Sequence, residues 1–174
     1  IECVKLLEDS ALYYRPECPS DENPAKALAG LLSERMVVIY SGGFLGGVAR
    51  RWKTQINENA KTWAFVETLP ELNHNAVAGY EFPQALAKNS FVVLLRSSLL
   101  QAEVASLYPM TLAILEKAGI DYHIVDAPGK TPLSQMLATS FRGDWISYYL
   151  ALINGVDPSP VTAIDEIKSR VDGQ

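Results

Sequence analysis

Four short apolar segments, each followed by a stretch with helical periodicity, constrain the fold of this chain more than any other feature. The segments are Met36–Tyr40, Thr62–Val66, Phe91–Arg96 and Tyr122–Val125. Strands that are apolar on both faces and alternate with helices are typical of a parallel sheet covered on both sides. The sequence therefore predicts an α/β fold, a three-layer sandwich with a parallel sheet of flavodoxin-like topology and right-handed crossovers.

The helices are predicted from apolar residues spaced by three and four and from boundary signals. Asn23 before Pro24 has the pattern of an N-cap followed by proline at the first helical position. Gly119 is expected to end one helix, and Gly143 is expected to break the longest helical segment. The predicted helices are 2–14, 24–32, 45–59, 100–118, 131–154 and 161–171, with helical turns in a loop over 69–88.

The first 22 residues are interpreted as an N-terminal helical arm and linker that connect to a domain upstream. The amphipathic segment Glu2–Tyr14 is followed by the polar, proline-containing stretch Pro16–Asn23, which is typical of a linker. The first residue is Ile rather than Met, so we expect this sequence to be a piece of a longer protein. Residues 23–174 are then expected to form the α/β domain.

Composition excludes several classes of partner. The 174 residues carry 15 Lys and Arg against 20 Asp and Glu, a net charge of −5, which argues against a nucleic-acid partner. No apolar run reaches the ~20 residues that a membrane span needs, so no membrane partner is expected. Cys3 and Cys18 are interpreted as free thiols in a reducing, cytoplasmic compartment. With only two His and two distant Cys, neither a metal site nor a cofactor is expected.

Ligands of parallel sheets bind beyond the carboxyl ends of the strands, which here are the segments 41–45, 67–75 and 96–99. The small residues after the first strand either approach an anion at a helix N-terminus or form a tight turn in which Gly46 and Gly47 pack the helix on the sheet. The spacing matches no nucleotide-binding motif, so the packing interpretation is favoured. Ser97 and Ser98 either bind phosphate or cap the next helix, and capping is the more common use of serine.

Two ionisable residues are candidates for proton transfer. Glu58 lies at the C-terminal end of a predicted helix, where the helix dipole does not stabilise a carboxylate; the alternative is a solvated side chain near Lys61. His74 lies in a polar stretch at the expected ligand edge, where an imidazole can exchange protons near neutral pH. His123 lies inside the fourth strand and is interpreted as structural.

Several motifs resemble the archaeal and bacterial bifunctional phosphoglucose/phosphomannose isomerases. The stretches are Arg51-Trp52-Lys53, Asn57-Glu58-Asn59-Ala60-Lys61, Pro70-Glu71-Leu72-Asn73-His74-Asn75 and Asn154-Gly155-Val156-Asp157-Pro158. The resemblance extends over residues 23–168, and the second and third stretches are its most specific parts. That family is built from two sugar-isomerase (SIS) domains, and this chain resembles only the second, which implies an SIS-like fold.

The resemblance implies an aldose–ketose isomerase that acts on a sugar-phosphate substrate, glucose 6-phosphate and fructose 6-phosphate, with mannose 6-phosphate as a further candidate. Glu58 falls on the position of the base that moves a proton between C1 and C2 through a cis-enediol. His74 falls on the position of the group that assists ring opening and reaches the neighbouring subunit's site, which implies a homodimer. Lys168 matches a lysine near the sugar ring, and Thr162 a contact to the C2 region.

The family's main phosphate-binding loops lie in the first SIS domain, so this chain alone is expected to be inactive. One alternative is a non-catalytic SIS module for sugar-phosphate sensing or dimerisation. A second is a nucleotide-binding α/β domain, which the absence of a Rossmann or P-loop motif disfavours.

Overall fold

The four apolar segments form a parallel sheet in the order β2-β1-β3-β4 in the computed structural model, which describes residues 2–172. The strands are β1 Met36–Gly42, β2 Ala64–Leu69, β3 Ser90–Arg96 and β4 Asp121–Asp126. This order is that of the first four strands of flavodoxin-like sheets. The α/β prediction is therefore confirmed.

Helices lie on both faces of the sheet, and each crossover between consecutive strands contains helical residues. The helices are α1 Glu2–Tyr14, α2 Pro24–Leu32, α3 Gly46–Ala60, α4 Gln84–Asn89, α5 Ala102–Ala105, α6 Leu107–Ala118, α7 Pro132–Ile153 and α8 Thr162–Asp172. Three short 3-10 segments occupy Gly43–Leu45, Glu71–His74 and Ala76–Glu81. Among residues 2–172, no helix combines the length and apolarity needed to cross a bilayer.

Helices α1, α2, α3 and α7 cover one side of the sheet, which we call the α3 face; α4, α5, α6 and two of the 3-10 segments cover the other, the α6 face. On the α3 face the indole of Trp52 is fully buried and donates to the carbonyl of Thr139 at 2.8 Å. On the α6 face the Tyr108 hydroxyl donates to the carbonyl of Leu95 at 2.8 Å. Both cores thus satisfy the polar atom of a large aromatic side chain.

Local signals set several helix boundaries as predicted. The Asn23 side chain accepts from the backbone amides of Ala25 and Lys26 at 3.0 and 3.1 Å, and Pro24 follows at the first helical position. Gly119 ends α6 with a φ of 68°, a conformation that costs glycine little.

The predicted break at Gly143 is wrong, because α7 is continuous from Pro132 to Ile153. A Cβ at Gly143 would lie 2.3 Å from Nε1 of Trp52. The glycine is therefore needed for the close approach of α3 and α7, a tertiary requirement that local helix propensity does not reveal.

The predicted helix over 100–118 is divided into α5 and α6. Pro109 lies in the first turn of α6, where its missing amide hydrogen is tolerated. In a continuous helix the same proline would lose its bond to the carbonyl of Ala105, so the chain begins a new helix at Leu107 instead.

The glycines of the first loop also differ from expectation. A Cβ at Gly46 would make only an ordinary contact at 3.8 Å, and one at Gly47 would meet nothing within 4 Å. The close approaches are at Gly42 and Gly43, where a Cβ would lie 2.8 Å from Val104 and 2.9 Å from Leu100. The loop therefore packs under α5 and the turn before it, and the prediction that Gly46 and Gly47 provide close packing is wrong.

Candidate functional site

Glu58 lies in the last turn of α3 and lines an open groove of about 540 Å³. The residues that line this groove all come from α3 and recur at spacings of three and four, as one face of a helix does. They are Gly47, Arg50, Arg51, Thr54, Gln55, Glu58 and Asn59. The groove is thus a polar surface with two guanidinium groups and one carboxylate.

Helix α7 forms a polar contact with the groove residues. Asp144 of α7 makes an ion pair with Arg51 at 3.0 Å and also accepts a hydrogen bond from Gln55. Asn59 donates to the hydroxyl of Ser147 at 2.9 Å. These bonds fix the amide side chains of the groove, so the groove is held in shape by the packing of α3 on α7.

The polar neighbours of Glu58 in its motif all have structural partners. Asn57 donates to the carbonyl of Thr62 at 2.8 Å, and the Lys61 ammonium donates to the carbonyls of Glu58 and Asp157 at 2.7 and 3.0 Å. Lys61 therefore caps the negative end of the α3 dipole rather than pairing with the Glu58 carboxylate. Within residues 2–172, that carboxylate has no hydrogen-bonding partner, so the fold leaves it free for another use.

His74 lies at the end of the 3-10 segment that follows β2. Like Glu58, it is unpaired among the described residues while its neighbours are engaged by the fold. Leu72 is fully buried, and the side chain of Asn73 accepts a hydrogen bond from the Thr111 hydroxyl of α6 at 3.0 Å. Asn75 donates to the Glu71 carboxylate at 3.1 Å. The imidazole of His74 itself is exposed and has no hydrogen-bonding partner in the described part of the chain.

The structure does not bring Glu58 and His74 together within one chain. Helix α3 runs antiparallel to the strands, so Glu58 lies at the amino edge of the sheet, whereas His74 follows the carboxyl end of β2. The strand between them alone spans roughly 17 Å at the usual rise per residue. One copy of this domain therefore does not form a site that contains both groups.

Thr162 and Lys168 lie on α8, and both are exposed. The side-chain hydrogen bonds of α8 stay inside the helix, such as the ion pair of Arg170 with Glu166. The chain that leads to α8 passes the C-terminal end of α3, where the carbonyl of Asp157 accepts from Lys61. Neither Thr162 nor Lys168 lines the Glu58 groove.

The side chains of the third loop, residues 96–99, form an ion pair and hydrogen bonds within the fold. Arg96 makes a two-pronged ion pair with Asp126 at 2.6 and 2.9 Å, which holds the pKa of that carboxyl below its ordinary value. Ser97 donates to the buried Gln135 at 2.5 Å and accepts from the amide of Leu99. The expected helix cap is wrong, because α5 begins only at Ala102 and the serine instead joins the loop to α7.

Sequence patterns gave no role to Tyr40 and Tyr80, whose hydroxyl groups lie 2.6 Å apart on the α6 face. Burial raises the pKa of both phenols, and the nearby Glu67 carboxylate raises both further. The bond joins the Ala76–Glu81 segment, next to His74, to β1. No sequence signal marks this pair, because forty residues separate its members.

His123 is half-buried on the α3 side of β4, as its structural interpretation predicted. Desolvation, and to a smaller extent the charge of Arg142, lowers its pKa. Among the described residues, no group of three His, Cys, Asp or Glu side chains converges as a metal site would need.

Comparison with known proteins identifies the family. The family model described as the bacterial phospho-glucose isomerase C-terminal SIS domain matches residues 21–171. This chain belongs to that family. The match begins close to the boundary between the predicted arm and the predicted domain.

Individual relatives agree with this assignment. The bifunctional phosphoglucose/phosphomannose isomerase of Caldicellulosiruptor bescii is 32% identical over 98% of this chain and 50% of its own length. The same-named protein of Aquifex aeolicus is 33% identical over 95% of this chain and 51% of its own length. The chain therefore spans about half the length of these relatives.

Two further matches are a solved structure and a relative that is named for a different reaction. A glucose-6-phosphate isomerase-like protein from Thermus thermophilus superposes with a TM-score of 0.77 at 30% identity, over 90% of this chain and 52% of that one. A protein named D-glucosamine-6-phosphate 4-epimerase from Sulfolobus acidocaldarius is 32% identical over 51% of this chain and 30% of its own length. The relatives of this chain thus include proteins named for two different reactions.

Proposed function

We propose that this chain is the C-terminal half of an aldose–ketose isomerase that interconverts glucose 6-phosphate and mannose 6-phosphate with fructose 6-phosphate. The observation that carries the proposal is the Glu58 carboxylate, which lines an open groove without a structural partner while its motif neighbours are all engaged. The names of the relatives from Caldicellulosiruptor bescii and Aquifex aeolicus support the same chemistry.

The proton transfer needs one carboxylate. Glu58 removes the proton from C2 of the open-chain aldose while O1 gains a proton, which gives the cis-enediol. Glu58 then delivers a proton to C1, and O2 loses its proton to form the ketose. An imidazole that moves protons between the ring oxygen and the C1 hydroxyl opens the ring first, and we assign this step to His74 of a partner subunit.

The remaining assignments concern substrate placement and organisation. We assign Lys168 to the sugar ring and Thr162 to the C2 region, which requires α8 to lie against a substrate held partly by another domain. Residues 1–22 then serve as the arm and linker from a preceding domain, and 23–174 as the SIS domain. The phosphate-binding groups come from that preceding domain, so the 174-residue chain alone is inactive.

The decisive experiment is Glu58→Gln in the full-length protein. We expect kcat for fructose 6-phosphate formation to fall by at least about 100-fold, since loss of a general base costs that much or more. Exchange of the C2 proton with deuterated solvent should fall with it, whereas calorimetric binding of fructose 6-phosphate should change little. Glu103→Gln, an exposed carboxylate on α5, is the matched control and should retain wild-type turnover.

The outcomes separate the candidate functions. Isomerase turnover that survives Glu58→Gln removes Glu58 from the mechanism. A wild-type protein that binds sugar phosphates without turnover favours the non-catalytic SIS module. Product analysis by NMR distinguishes an aldose–ketose isomerase from a 4-epimerase, whose product keeps the aldehyde at C1.

A further inference from the structure

A cavity of about 590 Å³ lies on the α6 face, between the Ala76–Glu81 segment, α4 and the end of α6. The Glu58 groove is formed by α3 on the other face of the sheet, and the two share no lining residue. The cavity is therefore a separate place on the molecule, and the proposed isomerase chemistry gives it no role.

A smaller apolar pocket of about 140 Å³ continues this cavity toward the sheet. Tyr80, Phe82 and Ala87 line both spaces. The walls of the inner pocket include Val38 of β1 and Val92 of β3, the two central strands. An apolar cavity of about 150 Å³ in another protein binds benzene, so the inner pocket has room for one aromatic ring.

One wall of the two spaces is held by a hydrogen bond. The hydroxyl of Tyr80 lies 2.6 Å from that of Tyr40, which is only 3% exposed and belongs to β1. The bond fixes the Ala76–Glu81 segment against the sheet. A preformed pocket loses less conformational freedom when a ligand enters, which favours binding.

Two ammonium groups line the outer cavity where it meets solvent. Lys88 lies in the last turn of α4 and Lys117 in the last turn of α6, and both are exposed. Within residues 2–172, neither lysine forms an ion pair. Glu81 is the carboxylate among the lining residues, so the lining has a net charge of +1 on a chain whose net charge is −5. Such a local excess of positive charge attracts an anion.

We propose that the joined cavities bind a small aromatic carboxylate, with its ring in the inner pocket and its carboxylate beside the ammonium groups of Lys88 and Lys117. The size and apolar walls of the inner pocket select the ring, and the unpaired lysines select the charge. A sugar phosphate does not suit the inner pocket, because its hydroxyl groups would lose water there without gaining partners. The site does not depend on the proposed function.

Calorimetric titration of the full-length protein with 3-phenylpropionate tests the ligand class. We expect a Kd on the order of 1 mM, as is usual for a ligand of this size. The uncharged 3-phenylpropanamide has the same ring and should bind about 5-fold more weakly, because it loses two exposed ion pairs. Propionate, which lacks the ring, should not bind measurably. Equal affinity for the acid and the amide, or no binding of the acid, overturns the proposal.

Neutral substitutions test the two lysines. Lys88→Gln combined with Lys117→Gln should lower the affinity for 3-phenylpropionate about 5-fold and leave that for the amide unchanged. The matched control is Lys5→Gln combined with Lys130→Gln, which removes the same charge from exposed residues outside both cavities. The control should bind like the wild type. An equal loss in both double variants would show a general effect of net charge and overturn the assignment.

Hydrogen–deuterium exchange of the full-length protein locates the ligand. Saturating 3-phenylpropionate should slow amide exchange in 76–89 and 114–119 and leave α3 unchanged. Ala87→Leu, which adds volume where the two spaces meet, should abolish this protection, and the unliganded exchange of its α7 shows that the variant is folded. Protection confined to α3 places the ligand in the Glu58 groove and overturns the proposal. Loss of isomerase activity in Glu58→Gln with unchanged 3-phenylpropionate binding keeps the two sites distinct.

Discussion

The two faces of the sheet are built in different ways. On the α3 face, four helices bury a continuous apolar cluster that includes the indole of Trp52. On the α6 face, α6 is the only helix longer than six residues among those described, and short segments cover the rest. A cavity of about 590 Å³ and the exposed Phe82 mark that incomplete cover. The α3 face therefore supplies the more complete core, while the α6 face is less fully covered and carries the segment with His74.

The comparison predicts that equivalent tryptophan truncations have very different effects. Trp52→Ala removes a buried indole and its hydrogen bond to Thr139, and we expect a loss of about 3–5 kcal/mol in the free energy of unfolding. Trp63→Ala, on the exposed edge, should cost less than about 0.5 kcal/mol when the protein is monomeric. Urea denaturation of both variants measures the difference, and comparable losses would show that the two faces are equally packed.

Adding a side-chain atom to the tightly packed α3 face should also lower the stability of the protein. Gly143→Ala places a methyl group where Trp52 already lies, so we expect a destabilisation of about 1–3 kcal/mol. Gly30→Ala in α2 meets nothing within 4 Å and should stabilise the protein by about 0.4–1 kcal/mol. Thermal denaturation of the pair checks the prediction, which requires shifts of opposite sign.

The α6 face should respond more locally. Tyr80→Phe removes the hydrogen bond to Tyr40 and leaves a buried hydroxyl without its partner, which should cost about 1 kcal/mol. Because this bond joins the segment next to His74 to β1, amide exchange should accelerate in 71–81 and remain unchanged in α7. Uniform acceleration across the protein would mean that the bond supports the whole fold instead.

The smallest expected effect is a pH dependence on the α3 side of β4. The pKa of His123 is lower in the folded protein than its ordinary value of about 6.5. The unfolded chain therefore binds this proton first, and the free energy of unfolding should fall as the pH drops through about 6.5. His123→Asn should flatten this part of the profile. The ion pair of Asp126 with Arg96 has a separate effect, present above the ordinary pKa of an aspartate and lost in more acidic solution.

Sequence patterns predicted features that depend on neighbouring residues but not contacts between distant ones. The Asn23 cap, the stop at Gly119 and the four strands were predicted, because they depend on residues next to one another in the chain. The continuity of α7 through Gly143 was not, since it depends on Trp52, which lies far earlier in the chain. The hydrogen bond between Tyr40 and Tyr80 was not predicted either, because its two residues are also far apart in the chain.

For the candidate site too, sequence revealed some features and not others. Its motif residues and the family were recognisable from sequence, and Glu58 and His74 stood out as ionisable groups in polar stretches. What sequence did not reveal is that Asn57, Asn59 and Lys61 are all engaged by the fold while the Glu58 carboxylate is not.

The sequence by itself determined the alternation of strands and helices, several helix ends and the family, because these depend on periodicity and on contacts between near neighbours. Only the tertiary structure decided that Glu58 and His74 lie at opposite ends of β2 and that Trp63 and Phe65 stay exposed between them. The physical reason is that the direction of each helix relative to the sheet, and the area each leaves uncovered, follow from packing between segments far apart in the chain.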